Sequence, residues 1–220
     1  MKKYELTEET KVIGGKTLFR IRALRSFGGI KAGDLGGFIE NERNLSHGGN
    51  AWVGGNAEVY GNAQVVGYAQ VGGNARVSGD AWVKDNARVD GNAQVVGNAW
   101  VEDNAQVGGN ARVSGDAWVN GDARVNGDAW VEDNARVDGD AWVGGYARVN
   151  GDAQVVGDAR VDGNAQVGGD AWVGGNARVG GDGLINSDND YLCEKGLGSH
   201  NRSASFFKCK DGHIHVLCGC

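Results

Sequence analysis

The side chains best suited to chemistry lie near the C-terminal end, where cysteine and histidine residues cluster. Thiolate and imidazole groups are ligands that Zn²⁺ prefers, with about two to four residues between paired ligands, and the C-x-C and H-x-H pairs here fit that spacing loosely. We favour the alternative, a β-hairpin with small buried cysteines, and so expect no cofactor, with zinc as the second interpretation. The candidate ligands are Cys193, Cys209, Cys218, Cys220, His200, His213 and His215.

The elements that would position reactive side chains come from a six-residue repeat over residues 49–180. Ala occurs at every sixth position from Ala51 to Ala177, and Val does so from Val53 to Val179. Because Ala and Val are two residues apart, both point to the same face of an extended strand. Gly and then Asn or Asp follow in most hexads, and these residues tolerate sharp turns. Each hexad therefore predicts a short strand and a corner, and such strands must coil and stack to bury their inner face.

This pattern resembles the hexapeptide-repeat family, in which an aliphatic and a small residue recur at fixed places, as Val53, Ala57 and each later pair do here. The resemblance implies an all-β fold, a left-handed parallel β-helix of triangular section with three hexads in each coil. Twenty-two hexads would make a little over seven regular coils. With strands about 4.8 Å apart, the prism would be about 35 Å long.

A coil of three hexads would place outward side chains 18 positions apart directly above one another. One such row contains Trp82, Trp100 and Trp118, then Arg136, with Trp172 two coils further on. Aromatic rings in line beside a guanidinium group could stack on sugar rings, nucleobases or a partner's strand. They could also simply cover a pleated face and gain from cross-strand neighbours. We favour the structural role and treat the row as the candidate binding surface.

Acyltransferase activity is the main competing function, because the resemblance implies a fold that many acyltransferases share. Such enzymes use a catalytic His in a cleft between subunits and a loop that completes the acyl-donor site. The hexads contain no His and no inserted residue, whereas general-base catalysis needs a group that titrates near neutral pH. His47 lies just before the hexads at the Val place of a degenerate repeat, where we favour a packed or hydrogen-bonded histidine. An enzyme that uses His47 or a tail His at a subunit or cap cleft is the alternative.

Both ends of such a column need caps, because a bare coil offers unpaired backbone groups to other strands. Residues 1–48 predict an N-terminal cap, residues 49–186 the repeat, and residues 187–220 a β-hairpin around the turn 210–212. Ile185 holds the last Val place. In the N-terminal cap we expect a strand that alternates between two faces, Leu18, Arg20 and Arg22 on one and Phe19, Ile21 and Ala23 on the other.

The segments at the two ends carry a further resemblance. "IRALRSFGGIKAGDLGGFIE" is similar to the opening of bacterial and phage hexapeptide-repeat proteins, among them an acetyltransferase-like group. "SHNRSASFFKCKDGHIHVLCGC" is similar to a prophage-type tail module that continues past Cys-Gly-Cys. The resemblance therefore implies a tail module that is either trimmed or incomplete in this sequence.

Composition and charge indicate which classes of binding partner the protein is suited to. The chain has 40 Gly, no Pro and a formal net charge of −6, with nine basic against seventeen acidic side chains over residues 49–180. An acidic shaft makes nucleic acid an improbable partner, since phosphate binding needs a basic surface. We see no signal peptide or membrane span, and we expect a cytoplasmic protein without a membrane partner. The prediction is a non-catalytic rigid rod for display, spacing or self-association, with a protein partner or a homo-oligomer such as a trimer.

Overall fold

The computed structural model of the chain describes residues 2–197 and 202–218. Each hexad forms a two-residue strand followed by a turn, and successive strands lie on three different sides of one column. Three long antiparallel strands precede the column: β1 (Tyr4–Ile13), β2 (Lys16–Ala23) and β3 (Leu35–Ile39). Among the described residues helix is limited to two short 3-10 turns, Glu42–Asn44 and Asp188–Asp190.

The column contains 23 short strands in three parallel sheets, about eight turns in all. The first side holds β5 (Glu58–Val59), β8 (Arg76–Val77), β11 (Gln94–Val95), β14 (Arg112–Val113), β17 (Trp130–Val131), β20 (Arg148–Val149), β23 (Gln166–Val167) and β26 (Leu184–Ile185). The second side holds β4 (Trp52–Val53), β7 (Gln70–Val71), β10 (Arg88–Val89), β13 (Gln106–Val107), β16 (Arg124–Val125), β19 (Trp142–Val143), β22 (Arg160–Val161) and β25 (Arg178–Val179). The third, here called the tryptophan side, holds β6 (Gln64–Val65), β9 (Trp82–Val83), β12 (Trp100–Val101), β15 (Trp118–Val119), β18 (Arg136–Val137), β21 (Gln154–Val155) and β24 (Trp172–Val173).

The register between coils is 18 residues throughout the column. Val89, for example, pairs in parallel with Val71 on one side and Val107 on the other. The prediction of three hexads in each coil is therefore confirmed. The inward Ala and Val of every hexad are at most 1% exposed, so the core is a thin continuous stack of small side chains, as the two-residue spacing predicts.

The backbone hydrogen bonds give the column a polarity. Each coil donates its N–H groups to carbonyl groups of the next coil, as Arg88 N does to Ala105 O at 2.9 Å. The first coil therefore exposes carbonyl groups that lack a donor, and the last coil exposes N–H groups that lack an acceptor. Buried backbone groups of this kind must find partners, so the two caps need opposite chemistry.

The N-terminal cap supplies hydrogen-bond donors to each of the three sides of the first coil. Phe38 N donates to Ala57 O at 2.8 Å, and Asn44 Nδ2 donates to Ala63 O at 2.9 Å. On the remaining side, the buried ammonium group of Lys3 donates to Ala51 O at 2.7 Å. β3 also joins the first side by pairing in parallel with β5. These carbonyl groups of the first coil therefore accept hydrogen bonds from the N-terminal cap.

One detail of the N-terminal cap concerns the burial of β2. Leu18 is fully buried, as Ile21 is and Ala23 nearly is, but it does not belong to the core cluster that contains those two residues. The pairing of β2 with β3 shifts register between Arg20 and Arg22. Two residue steps on β2 match three on β3 there, so the extra residue lies in β3 and does not interrupt the alternation along β2.

The C-terminal cap supplies acceptors to the last coil. Asp188 Oδ1 accepts from Trp172 N at 2.7 Å, and Ser205 Oγ accepts from Arg178 N at 2.8 Å. Ser205 belongs to a three-stranded antiparallel sheet, β27 (Tyr191–Leu197), β28 (Arg202–Lys208) and β29 (Ile214–Cys218). From β28, Phe207 is 1% exposed and packs against the end of the core. The predicted hairpin is thus present as β28 and β29, with β27 as an additional strand.

Candidate functional site

The tryptophan side brings three predicted residues into direct contact. Trp82, Trp100 and Trp118 lie on adjacent strands of one sheet. Their ring centroids are 5.6 Å and 5.5 Å apart, and the rings are nearly parallel, with interplanar angles of 15° and 21°. Aromatic pairs prefer such offset stacks at these distances. The three indoles therefore form one continuous column, here called the tryptophan stack.

Two cationic side chains lie against rings of the tryptophan stack. The guanidinium carbon of Arg136 lies 5.7 Å from the ring centroid of Trp118, and Nζ of Lys84 lies 5.0 Å from that of Trp100. Both distances suit a cation–π contact. Arg136 is held by Asp138 at 3.0 Å, while Lys84 pairs with Glu102 at 2.6 Å. The hydrogen bond to Glu102 is the main reason that the pKa of Lys84 is raised.

This geometry limits what the tryptophan stack can bind. Neighbouring rings already contact one another face to face, and Arg136 lies over Trp118, so a sugar or base cannot lie flat between the rings. Trp118 is 39% exposed and Trp172 is 49% exposed. Trp172 does not join the stack, because the row continues through Arg136 and Gln154 before reaching it. The stacked part of this side therefore leaves no gap between the rings for a flat ligand.

A groove on the second side was not singled out by sequence reasoning. It has a volume of about 450 Å³ and is lined by Asp122, Asp140, Arg124, Arg160 and Trp142 among others. Its lining includes two acidic side chains from the turns and two basic side chains from the strands. Sequence reasoning missed it because it considered each row separately, whereas the groove lies between a corner row and a strand row.

His47 lies inside the N-terminal cap, away from the hexads. Its ring stacks on that of Tyr4 with centroids 4.3 Å apart, and its Nδ1 accepts a hydrogen bond from Lys3 N at 3.2 Å. Its Nε2 lies 3.5 Å from a carboxylate oxygen of Glu42. Leu45, fully buried, pairs with Val65 and holds the place in the coil that the six-residue phase assigns to His47. That part of the prediction was wrong, because the turn after Leu45 contains two residues more than a regular hexad would allow.

Two neighbours of His47 are ionisable groups with perturbed pKa values. Burial, and then the charge of Arg25, lower the pKa of Lys3 to about 8. Burial raises the pKa of Tyr4 above its ordinary value, and the charge of Glu42 adds to this. The Tyr4 hydroxyl group donates to Leu45 O at 2.7 Å. These contacts tie the start of the chain to the first coil.

The C-terminal cap separates the predicted zinc ligands. Cys209 and His215 lie together, and Asp211, which the prediction omitted, completes a group whose ligand atoms are within 4.8 Å of one another. Cys193 lies elsewhere, with its sulfur 3.9 Å from Ser205 Oγ. His213 is 79% exposed, and its Nδ1 is 3.3 Å from Asp211 Oδ2. His200 and Cys220 lie outside the described residues, as does the side chain of Cys218.

The thiol of Cys209 lies in unusual surroundings. It is 2% exposed, and burial raises its pKa, with smaller contributions from the negative charges of Asp211 and Asp182. A buried thiol beside carboxylates stays protonated and unreactive unless a cation is close. The signal for this group in the sequence is the alternation Cys209-x-Asp211-x-His213-x-His215 across one turn.

Comparison with known proteins agrees with the architecture. A family model described as YdcK beta solenoid repeat matches residues 69–84 and 105–121, two stretches that contain Trp82 and Trp118. No curated protein matches the chain. Among the described residues, no helix is long and apolar enough to cross a membrane. The register, the three parallel sheets and this family match together make the chain a β-solenoid repeat protein.

Proposed function

We propose that this protein is a non-catalytic rigid spacer that presents its outer faces to other protein surfaces. The observation that carries the proposal is the unbroken 18-residue register, which runs from β4 to β26 without an inserted loop. A column with this register has a fixed length and presents its side faces in a fixed arrangement. With eight strands on its second side and spacings of about 4.8 Å, the regular part is about 34 Å long.

The two caps direct association to the side faces. Carbonyl groups on all three sides of the first coil, and N–H groups on two sides of the last coil, have partners within the chain, at Lys3 and Ser205 for example. Growth by addition of strands at the ends is therefore disfavoured. We further propose a left-handed winding, as in the hexapeptide-repeat proteins that the chain resembles.

The tryptophan side is the proposed contact face, and a second copy of the chain is the proposed partner, with a trimer as the closed assembly. Trp118 and Trp172 expose apolar edges on this side, and interfaces are enriched in tryptophan and arginine. By contrast, Trp130 on the first side lies between Arg112 and Arg148, with both guanidinium groups within 5.6 Å of its ring centroid. It therefore provides a matched control on another face.

The test is sedimentation equilibrium of the parent, a Trp118→Gln/Trp172→Gln double variant and the control Trp130→Gln. We expect the parent and the control to exceed the monomer mass of 23.0 kDa and the double variant to dissociate at least tenfold more readily. A parent that stays monomeric at high concentration contradicts self-association. Small-angle scattering that shows a compact sphere in place of an elongated particle contradicts the spacer itself.

A further inference from the structure

The turn between β28 and β29 gathers three side chains that differ in chemistry and converge on one point. We propose that this turn is a Zn²⁺ site whose protein ligands are Cys209, Asp211 and His215. Their sulfur, oxygen and nitrogen atoms lie within 4.8 Å of one another. Zinc bonds of about 2.0–2.3 Å at the tetrahedral angle place ligand atoms about 3.5 Å apart. Binding would draw these atoms together by rotation of the side chains.

The backbone already holds the turn in place. Cys209 N donates to His213 O at 2.9 Å, and Gly212 N donates to Cys209 O at 2.9 Å. Phe207 pairs with His215 across the two strands, which puts His215 on the same face of the hairpin as Cys209. The turn is also joined to the last coil, since Lys210 N donates to Asp182 O at 3.1 Å. The ligands are thus positioned by a fixed hairpin and not by a loose loop.

One proposed ligand is buried and two are exposed, so the proposed metal position lies at the protein surface. Cys209 is 2% exposed, whereas Asp211 and His215 are exposed. Asp211 Oδ1 accepts a hydrogen bond from His213 N at 2.9 Å, which orients the carboxylate. On binding, the Cys209 thiol would lose its proton to solvent as the sulfur–zinc bond forms. Zn²⁺ would offset the negative charge that Asp211 and Asp182 place around the sulfur.

The ligand types select the metal. A thiolate with an imidazole and one carboxylate suits Zn²⁺, whereas Mg²⁺ and Ca²⁺ take oxygen ligands alone. His213, with its Nδ1 at 3.3 Å from Asp211 Oδ2, is a positioning residue that orients the Asp211 carboxylate. Such outer partners typically change metal affinity by about 10–100-fold. A bound metal would fasten the C-terminal cap and so protect the open end of the core.

The experiment measures Zn²⁺ bound to the full chain after dialysis against micromolar ZnCl₂. We expect one Zn²⁺ per chain in the parent and in the control Cys193→Ser, whose sulfur lies in the same sheet but outside the group. We expect loss of the metal in Cys209→Ser, Asp211→Asn and His215→Gln, and about tenfold weaker binding in His213→Gln. Co²⁺ added to the parent should give a thiolate charge-transfer absorption that Cys209→Ser lacks.

Folding of the variants is checked by circular dichroism and by the urea midpoint without metal. Asp211 is 58% exposed at its side chain, so Asp211→Asn leaves the core intact and remains informative if Cys209→Ser unfolds. The urea midpoint of the parent should rise with added Zn²⁺, and that of Asp211→Asn should not. A parent that binds no Zn²⁺, or a Cys209→Ser or Asp211→Asn variant that keeps it, overturns the proposal.

Discussion

Substitution of a corner glycine by alanine should destabilise the column strongly, and Gly109 is the clearest position at which to test this. Gly109 has φ +65°, and a Cβ there would lie 2.9 Å from both N and O of Gly127 in the next coil. A left-handed conformation costs an alanine about 1–2 kcal/mol. The contact with fixed backbone adds roughly 1 kcal/mol, and the stiffer unfolded chain returns about 0.4–1 kcal/mol. The net expectation for Gly109→Ala is a loss of about 2 kcal/mol.

Gly72 provides the matched control, because a Cβ there would meet no heavy atom within 4 Å and its φ is not positive. Gly72→Ala should therefore leave the stability unchanged or raise it by about 0.4–1 kcal/mol. The assay is urea denaturation followed by both circular dichroism and tryptophan fluorescence. Equal stability of Gly109→Ala and Gly72→Ala would refute the geometric reasoning, since the two variants differ only in φ and in contact with the next coil.

Aspartate at the same corner should be tolerated better than alanine. Asp103 and Asp133 hold equivalent corners at φ +58° and +61°. Their carboxylates accept hydrogen bonds from Gly121 N at 3.3 Å and Gly151 N at 3.1 Å in the next coil. Gly109→Asp should consequently cost about 1 kcal/mol or less, because a hydrogen bond offsets part of the strain. A loss as large as that of Gly109→Ala would contradict this explanation.

Three further predictions concern the tryptophan stack and the N-terminal cap. Trp100→Gln should lose about 1–2 kcal/mol of folding stability, measured by urea denaturation, because two aromatic contacts disappear. Trp172→Gln, outside the stack, should lose under about 0.5 kcal/mol. Equal losses in the two variants would contradict this reasoning. The pKa of Lys3 is lowered to about 8 in the folded protein, from the ordinary value of 10.5. Between these two pH values, Lys3 therefore binds fewer protons in the folded protein than in the unfolded chain. Stability should therefore rise with pH in that window, and a Lys3→Met variant with the same pH slope in urea denaturation would refute this. His47→Ala should cost about 1–2 kcal/mol by leaving Lys3 N without its acceptor; thermal stabilisation of the parent by acetyl-CoA that His47→Ala loses would instead favour an enzyme.

Much of the column was predictable from the sequence. The six-residue recurrence of Ala51 and Val53 dictates which side chains face inward, and the Gly-Asn/Asp pairs dictate where the chain turns. These properties depend on residues only a few positions apart, so each hexad carries them by itself. The resemblance to hexapeptide-repeat proteins supplied the number of hexads in each coil, and the 18-residue register agrees with it. The row of Trp82, Trp100 and Trp118 followed directly from that number.

The tertiary structure decided what depends on contacts between distant segments. The six-residue phase predicted that His47 would occupy a coil position. In the structure His47 packs against Tyr4 and Lys3, more than 40 residues away, and belongs to the N-terminal cap. Leu45 occupies the coil position instead. Asp211 joined Cys209 and His215 only because the hairpin folds back on itself. The opposite chemistry of the two caps, donors at one end and acceptors at the other, has the same origin. A periodic sequence determines its own local strand and turn, whereas the ends of a column are completed by whichever remote side chains reach the backbone groups that the last repeats leave unpaired.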